Sequence, residues 1–183
     1  MAIETPICDF GKKAPDFKLK STDNKILSLN DIKGENGTLI MFICNHCPYV
    51  KAVTKEIVED CTELQKLGIN AVAICANDAE NYPEDSFENM LSFSKENNFE
   101  FPYLFDDNQE IAKKFGAVCT PDFFGYNKLL KLQYRGRFRE LKNLTPIING
   151  ASDLKKAMLM ISKTQNGPKK QIPSMGCNIK WIK

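Results

Sequence analysis

The chain of 183 residues has one histidine, one tryptophan and no long apolar run, and its 25 basic side chains nearly cancel its 23 acidic ones. A balanced charge argues against nucleic acid as a partner, because a long polyanion is bound through an excess of Lys and Arg. The longest apolar stretch, residues 37–43, falls far short of the roughly 20 residues that cross a bilayer, and residues 1–10 contain no apolar signal-peptide core. A soluble, unexported, cytoplasmic protein with no membrane partner is expected. The scarcity of histidine, with no second Cys-X-X-Cys, also disfavours a four-ligand structural zinc site.

Apolar residues make up 43% of the chain, and a chain of this length buries about two-thirds of its unfolded surface. One domain with a self-sufficient core follows, without disulfide staples. Seven cysteines are present, Cys8, Cys44, Cys47, Cys61, Cys75, Cys119 and Cys177. Their odd number and irregular spacing argue against a secreted disulfide framework, so most are expected reduced. Five lysines and no acid lie in residues 163–183, and the remaining 20 bases and 23 acids leave residues 1–162 at −3. The chain therefore reads as a domain over 1–162 followed by a basic tail over 163–183 that packs on it. Such a tail suits an acidic surface or is simply solvated.

There is no internal repeat. Short extended pieces around residues 17–19 and 25–29, separated by Thr22-Asp23-Asn24, predict an N-terminal hairpin. Residues 38–43 form a wholly apolar run typical of a strand buried on both faces, and it leads straight into Cys44-Asn45-His46-Cys47-Pro48. Val50, Val53, Ile57, Cys61, Leu64 and Leu67 then recur at helical spacing up to Gly68. Beyond it come a strand over 69–75, a helix around Phe87 to Ser94, a strand over 102–105 and a short helix over 108–115. A hairpin of 122–126 with 129–135 across Asn127-Lys128 and a last helix over 151–162 complete the domain. Strands alternating with helices before a hairpin imply an α/β fold, a mixed sheet with helices on both faces. In the tail, Cys177, Ile179 and Trp181 fall on one side of an extended piece.

Two cysteines two residues apart can close a small disulfide ring, and a helix start offers unsatisfied N–H groups that favour a thiolate. A zinc half-site and two unrelated core cysteines are the alternatives. His46 sits between the sulfurs. A helix N-terminus supplies about 0.3–1 kcal/mol, less than the ~1.4 kcal/mol of one pKa unit, so the dipole alone is too weak. A protonated His46 would add to it, stabilising the reduced form and making the disulfide more oxidising.

Strand, Cys-X-X-Cys, long helix and a later Thr120-Pro121 before a hairpin resemble the thioredoxin superfamily. Residues 42–51, Asn77-Asp78-Ala79-Glu80, Tyr82-Pro83-Glu84-Asp85-Ser86, residues 101–104, residues 119–124, Tyr134-Arg135-Gly136-Arg137 and residues 173–181 are similar to the peroxiredoxin-like redoxins, of AhpC/TSA type, that carry a thioredoxin-type Cys-X-X-Cys. The resemblance implies a thioredoxin fold with an N-terminal β-hairpin extension and Pro121 in cis, facing the motif. Thr120 would then offer its backbone to an extended substrate held in a mixed disulfide. Asn45, Thr120 and Pro121 are the substrate-facing positions on that reading, with Cys44 the attacking thiolate and Cys47 the resolving thiol.

The departures are informative. The buried acid that thioredoxins place six residues before the first cysteine is Thr38 here, and the preceding tryptophan is Ile43. Asp122 is the candidate proton acceptor in its stead, weighed against an exposed place at the hairpin edge. Aligned with peroxiredoxins, Cys47 takes the peroxide-attacking position, Cys44 replaces the threonine that orients peroxide, and Ile40 replaces a proline. Arg135 and Arg137 are unaligned candidates for the active-site arginine. Pro48 leaves the helix start open, since proline favours the first helical position and would make Cys47 the cap. Cys61 and Cys75 read as small core residues and Cys8 as an inert terminal thiol. For Cys119 and Cys177, packing competes with a role as additional redox thiols.

The expected function is a cytoplasmic thiol–disulfide oxidoreductase acting on protein or small-molecule thiols, with no organic cofactor and no metal beyond the Cys44–Cys47 disulfide. The alternatives are a thiol-dependent peroxidase using Cys47, and a Cu(I) carrier binding through Cys44, Cys47 and His46.

Overall fold

A computed structural model describes residues 1–183. The chain opens with β1 (Ala2–Glu4), then the hairpin of β2 (Lys18–Ser21) and β3 (Ile26–Ser28), and a one-turn α1 (Leu29–Ile32). There follow β4 (Gly37–Phe42), α2 (Pro48–Gln65), β5 (Ile69–Cys75), α3 (Phe87–Glu96), β6 (Tyr103–Phe105) and α4 (Glu110–Phe115). The second half holds β7 (Cys119–Thr120), β8 (Asp122–Tyr126), β9 (Leu132–Tyr134), the small pair β10 (Leu141–Lys142) and β11 (Thr145–Pro146), α5 (Asp153–Thr164) and β12 (Met175–Asn178).

Seven strands form the central sheet in the order β3-β2-β6-β5-β4-β8-β9, with β4, β5 and β6 parallel and the rest antiparallel. The apolar run of β4 is buried throughout because it occupies the interior of this sheet with a helix layer on either face. Alternate side chains serve the two faces. Leu39, Met41 and Ile43 meet Val53 and Ile57 of α2 and Ile161 of α5, whereas Ile40 and Phe42 meet Ile32 of α1 and Phe115 of α4. The mixed sheet with helices on both faces is the one that the alternation of elements implied, and it is a thioredoxin fold, as the resemblance implied. No helix is long and apolar enough to cross a membrane.

The second hairpin differs from its expected form. Leu130 has a positive φ of 57°, and Asn127 N–H donates to Lys131 O, so residues 127–131 make a wider connection and β9 begins only at Leu132. A two-residue turn over Asn127-Lys128 would have put exposed Leu129 into the ladder.

The C-terminal segment forms a second sheet of order β1-β12-β7. In it Cys177 lies opposite Ala2 on one side and Thr120 on the other. Ile179 is buried, while Trp181 is partly exposed with Lys113 over its ring, so the row expected on one side divides between core and surface. Gly176 allows the close approach, since a Cβ there would lie 2.1 Å from the Thr120 carbonyl oxygen. Gly176→Ala is therefore expected to cost about 1–3 kcal/mol through forced backbone displacement, read as a lower urea midpoint. An unchanged midpoint would mean that β12 shifts freely.

Candidate active site

β4 delivers Ile43 and Cys44 to the edge of the core, and the chain turns through Asn45 and His46 before α2 begins at Pro48. Cys47 is the N-cap, with extended backbone angles, and Pro48 occupies the first helical position. Of the two open helix starts, the proline-directed one is realised. Cys44 and Cys47 are 1% and 0% exposed. Facing them is the Thr120–Pro121 peptide, which is cis. Cys44 Sγ lies 3.3 Å from Thr120 Oγ1, and Cys47 Sγ lies 3.1 Å from Thr120 O.

The two sulfurs act on one another and titrate as a unit. Of the pair, Cys47 is the one whose pKa is drawn down, to about 5. Its hydrogen bond from Cys44 is the largest cause; burial opposes it, and the Thr120 hydroxyl and the N–H groups of Cys177 and Val50 assist. The Thr120 carbonyl is the neighbour that favours a proton on this sulfur, and it is outweighed. Cys44 is pushed above the ordinary thiol value by the same bond, by burial and by the charge of Asp85. The direction of these shifts runs opposite to the order that the thioredoxin resemblance implies, chiefly through the mutual interaction of the two sulfurs. Reduced protein should show thiolate ultraviolet absorbance titrating with a midpoint of about 5 and lost in Cys47→Ser. A sole midpoint near the ordinary 9.0 would contradict this assignment.

Asp85 is the residue sequence reasoning missed. Fully buried at the end of the Pro83–Asp85 turn, its carboxylate accepts from Asn45 N–H at 2.8 Å and Asn77 Nδ2 at 2.8 Å, and contacts His46 Nδ1 at 2.6 Å. Its signal lay in the Tyr82-Pro83-Glu84-Asp85-Ser86 segment, which read as a turn before a helix. His46 therefore turns Nδ1 toward Asp85, while its ring stacks on Tyr82 at 6.0 Å. One atom each of Cys44, His46 and Asp85 lie within 4.8 Å of one another. The trio expected to hold Cu(I), with Cys47 as a ligand, is not the one that converges, and a carboxylate in place of a second thiolate suits that soft ion poorly.

Three other expectations are corrected. Asn45 is buried, its Nδ2 donating to Glu84 O and its Oδ1 accepting from Tyr103 OH, so its side-chain amide is committed to bracing the loop. Asp122 is buried and gripped by Arg135 through Nε at 3.2 Å and Nη2 at 2.8 Å, an internal ion pair and neither an exposed edge nor a free proton acceptor. Burial raises its pKa against the opposing guanidinium. The Thr120 backbone edge expected to receive a substrate strand is occupied by β12. Arg135 is thereby committed to Asp122, and Arg137 pairs with Asp153 at 2.7 Å, which leaves neither as a peroxide-site arginine. Thr38, in the place of the thioredoxin acid, is buried and accepts from Gly34 N–H.

Cys119 is buried with its Sγ 3.6 Å from Pro121 O, and burial together with Asp122 raises its pKa, so it is held as an unreactive thiol. Cys61 and Cys75 lie in the core, as their stripes implied. Cys177 is half-buried and hydrogen-bonded to Cys47.

The AhpC/TSA family model matches residues 10–139. A solved structure of an uncharacterized conserved protein from Geobacillus kaustophilus superposes with a TM-score of 0.95 at 42% identity, covering 100% of this chain and 97% of that one. A Coxiella burnetii protein classed by name as a peroxiredoxin, bcp, is 27% identical over 64% of this chain and 72% of its own length. The thiol-disulfide oxidoreductase ResA of Bacillus thuringiensis is 24% identical over 66% of this chain and 65% of its own length.

Proposed function

The chain belongs to the AhpC/TSA family, and on that premise we propose that it is a thiol–disulfide oxidoreductase exchanging disulfides with protein or small-molecule thiols through Cys44 and Cys47. The observation that carries this reading is the pair of buried sulfurs at the head of α2, both held against the cis Thr120–Pro121 peptide, with the pKa of Cys47 lowered and that of Cys44 raised. The Cys47 thiolate attacks a substrate disulfide, forming a mixed disulfide and releasing one substrate thiolate. Cys44 then loses its proton and attacks the Cys47 sulfur, closing the Cys44–Cys47 bond and releasing the second thiolate. Asp85 and His46, grouped with Cys44, receive that proton. The electron pair resides in the sulfurs, so neither metal nor organic cofactor takes part, and a reducing compartment such as the cytoplasm suits the thiols.

A second reading, peroxide reduction by Cys47, is favoured by the low pKa of that sulfur and by its alignment with the peroxiredoxin position. Against it, no free guanidinium faces the thiolate. One experiment separates the two: reduced protein is mixed with glutathione disulfide or with hydrogen peroxide. Stoichiometric reduction of glutathione disulfide with formation of the Cys44–Cys47 bond is expected. Peroxide turnover without that exchange would replace the first reading by the second.

A further inference from the structure

Three cysteines gather around Thr120. Cys44 Sγ lies 3.3 Å from its hydroxyl, Cys47 Sγ lies 3.1 Å from its carbonyl oxygen, and Cys177 is its partner across the β12–β7 pairing, where Cys47 and Cys177 influence one another's ionisation. Cys177 is no wandering tail thiol. β12 sets it opposite Thr120 and Ala2, Ser174 Oγ donates to Pro121 O at 2.8 Å, and Lys180 N–H donates to Asn77 Oδ1 at 2.9 Å. The strand is thus fastened before and after the sulfur.

Access singles out the outer sulfur. Cys44 and Cys47 are sealed, and the strand edge beside Thr120, where an extended substrate would dock, is filled by β12. Of these three cysteines, Cys177 alone has appreciable exposure. Such an outlet serves the re-reduction of a buried pair by thiols in solution.

We propose that Cys177 is a third redox thiol that carries disulfide exchange between the buried Cys44–Cys47 pair and thiols in solution, an inference that rests on the oxidoreductase reading above. When Cys44 and Cys47 are joined, the Cys177 thiolate attacks Cys47 Sγ. The 47–177 bond forms, the 44–47 bond breaks, and Cys44 leaves as a thiolate that takes up the proton Cys177 gave up. No net oxidation occurs. A solution thiolate next attacks the Cys177 sulfur, releasing Cys47 as its thiolate and leaving a mixed disulfide on Cys177. A second thiol resolves that bond, so two solution thiols end as one disulfide and the protein pair as two thiols. Cys47 is a good leaving group because its thiolate is the stabilised one. In the reduced protein, burial and the neighbouring Cys47 hold Cys177 up at about 11, and taking Cys47 into a disulfide removes that second influence.

The test uses the full chain oxidised with diamide and then reduced with glutathione. Reduction of the Cys44–Cys47 disulfide is expected to slow at least about ten-fold in Cys177→Ser. In oxidised Cys44→Ser, non-reducing proteolysis and mass spectrometry should find Cys47 linked to Cys177. A Cys177→Ser rate within about two-fold of the parent, or no such linkage in Cys44→Ser, overturns the relay. Should Cys177→Ser fail to fold, the linkage decides, because Cys44→Ser retains the native strand. Failure of the parent chain to form a Cys44–Cys47 disulfide would instead overturn the oxidoreductase reading itself.

Discussion

Cys47→Ser is expected to abolish disulfide exchange, lowering the rate at least about a thousand-fold, whereas the double variant Cys44→Ser, Cys177→Ser stops the reaction halfway with a substrate held on Cys47. The asymmetry follows from where the charge sits. Cys47 is drawn down by Cys44 and by the N–H groups of Cys177 and Val50, which makes it the nucleophile of the proposed exchange. Cys44 is held protonated until the Cys47 charge is consumed. The two residues act as a unit, so the double variant Cys44→Ser, Cys47→Ser should be no slower than Cys47→Ser alone. Mass spectrometry of the protein after mixing with a model disulfide reads the outcome. A trapped adduct on Cys44 in Cys47→Ser, with none on Cys47 in Cys44→Ser, Cys177→Ser, would restore the thioredoxin order of the sulfurs.

The direction of the shift was not legible in the sequence, for a definable reason. The spacing of Cys44 and Cys47 after an apolar strand is a local signal, and so is proline at the first helical position, so both motif and helix were legible. Which sulfur ionises depends on N–H groups from Val50 and from Cys177, and the latter is 130 positions away and reaches Cys47 only through β12. The same limit applies to Thr120. Local reading identified it as the backbone next to Pro121, but its edge is taken by a strand from the other end of the chain. Asp122 failed differently: alternation within β8 is invisible where all five residues are buried, and its partner Arg135 lies on the far side of the hairpin. The central sheet was easier to read because β4 and β5 advertise themselves by composition, while β7 has only two residues and gains its identity from pairing.

Asp85 carries the other large expected effect, and two substitutions separate its contributions. Asp85→Ala removes one acceptor from Asn45 N–H, Asn77 Nδ2 and His46 Nδ1, leaving buried donors without a partner. Each unpaired donor costs about 1–3 kcal/mol, so a loss of about 3 kcal/mol is expected in urea unfolding. Asp85→Asn keeps the size and one acceptor oxygen, but an amide does not take up a proton at neutral pH. If Asp85 and His46 receive the Cys44 proton, this variant should perform the first attack at the parent rate and close the Cys44–Cys47 bond about a hundred-fold more slowly. The mixed disulfide on Cys47 would then accumulate as in Cys44→Ser, Cys177→Ser, though transiently. A purely supporting carboxylate predicts the opposite pattern, in which both steps fall together with stability and no adduct builds up. Raising the pH distinguishes them again: solvent hydroxide removes the Cys44 proton directly, so closure in Asp85→Asn should recover toward the parent rate, whereas a misplaced loop would not.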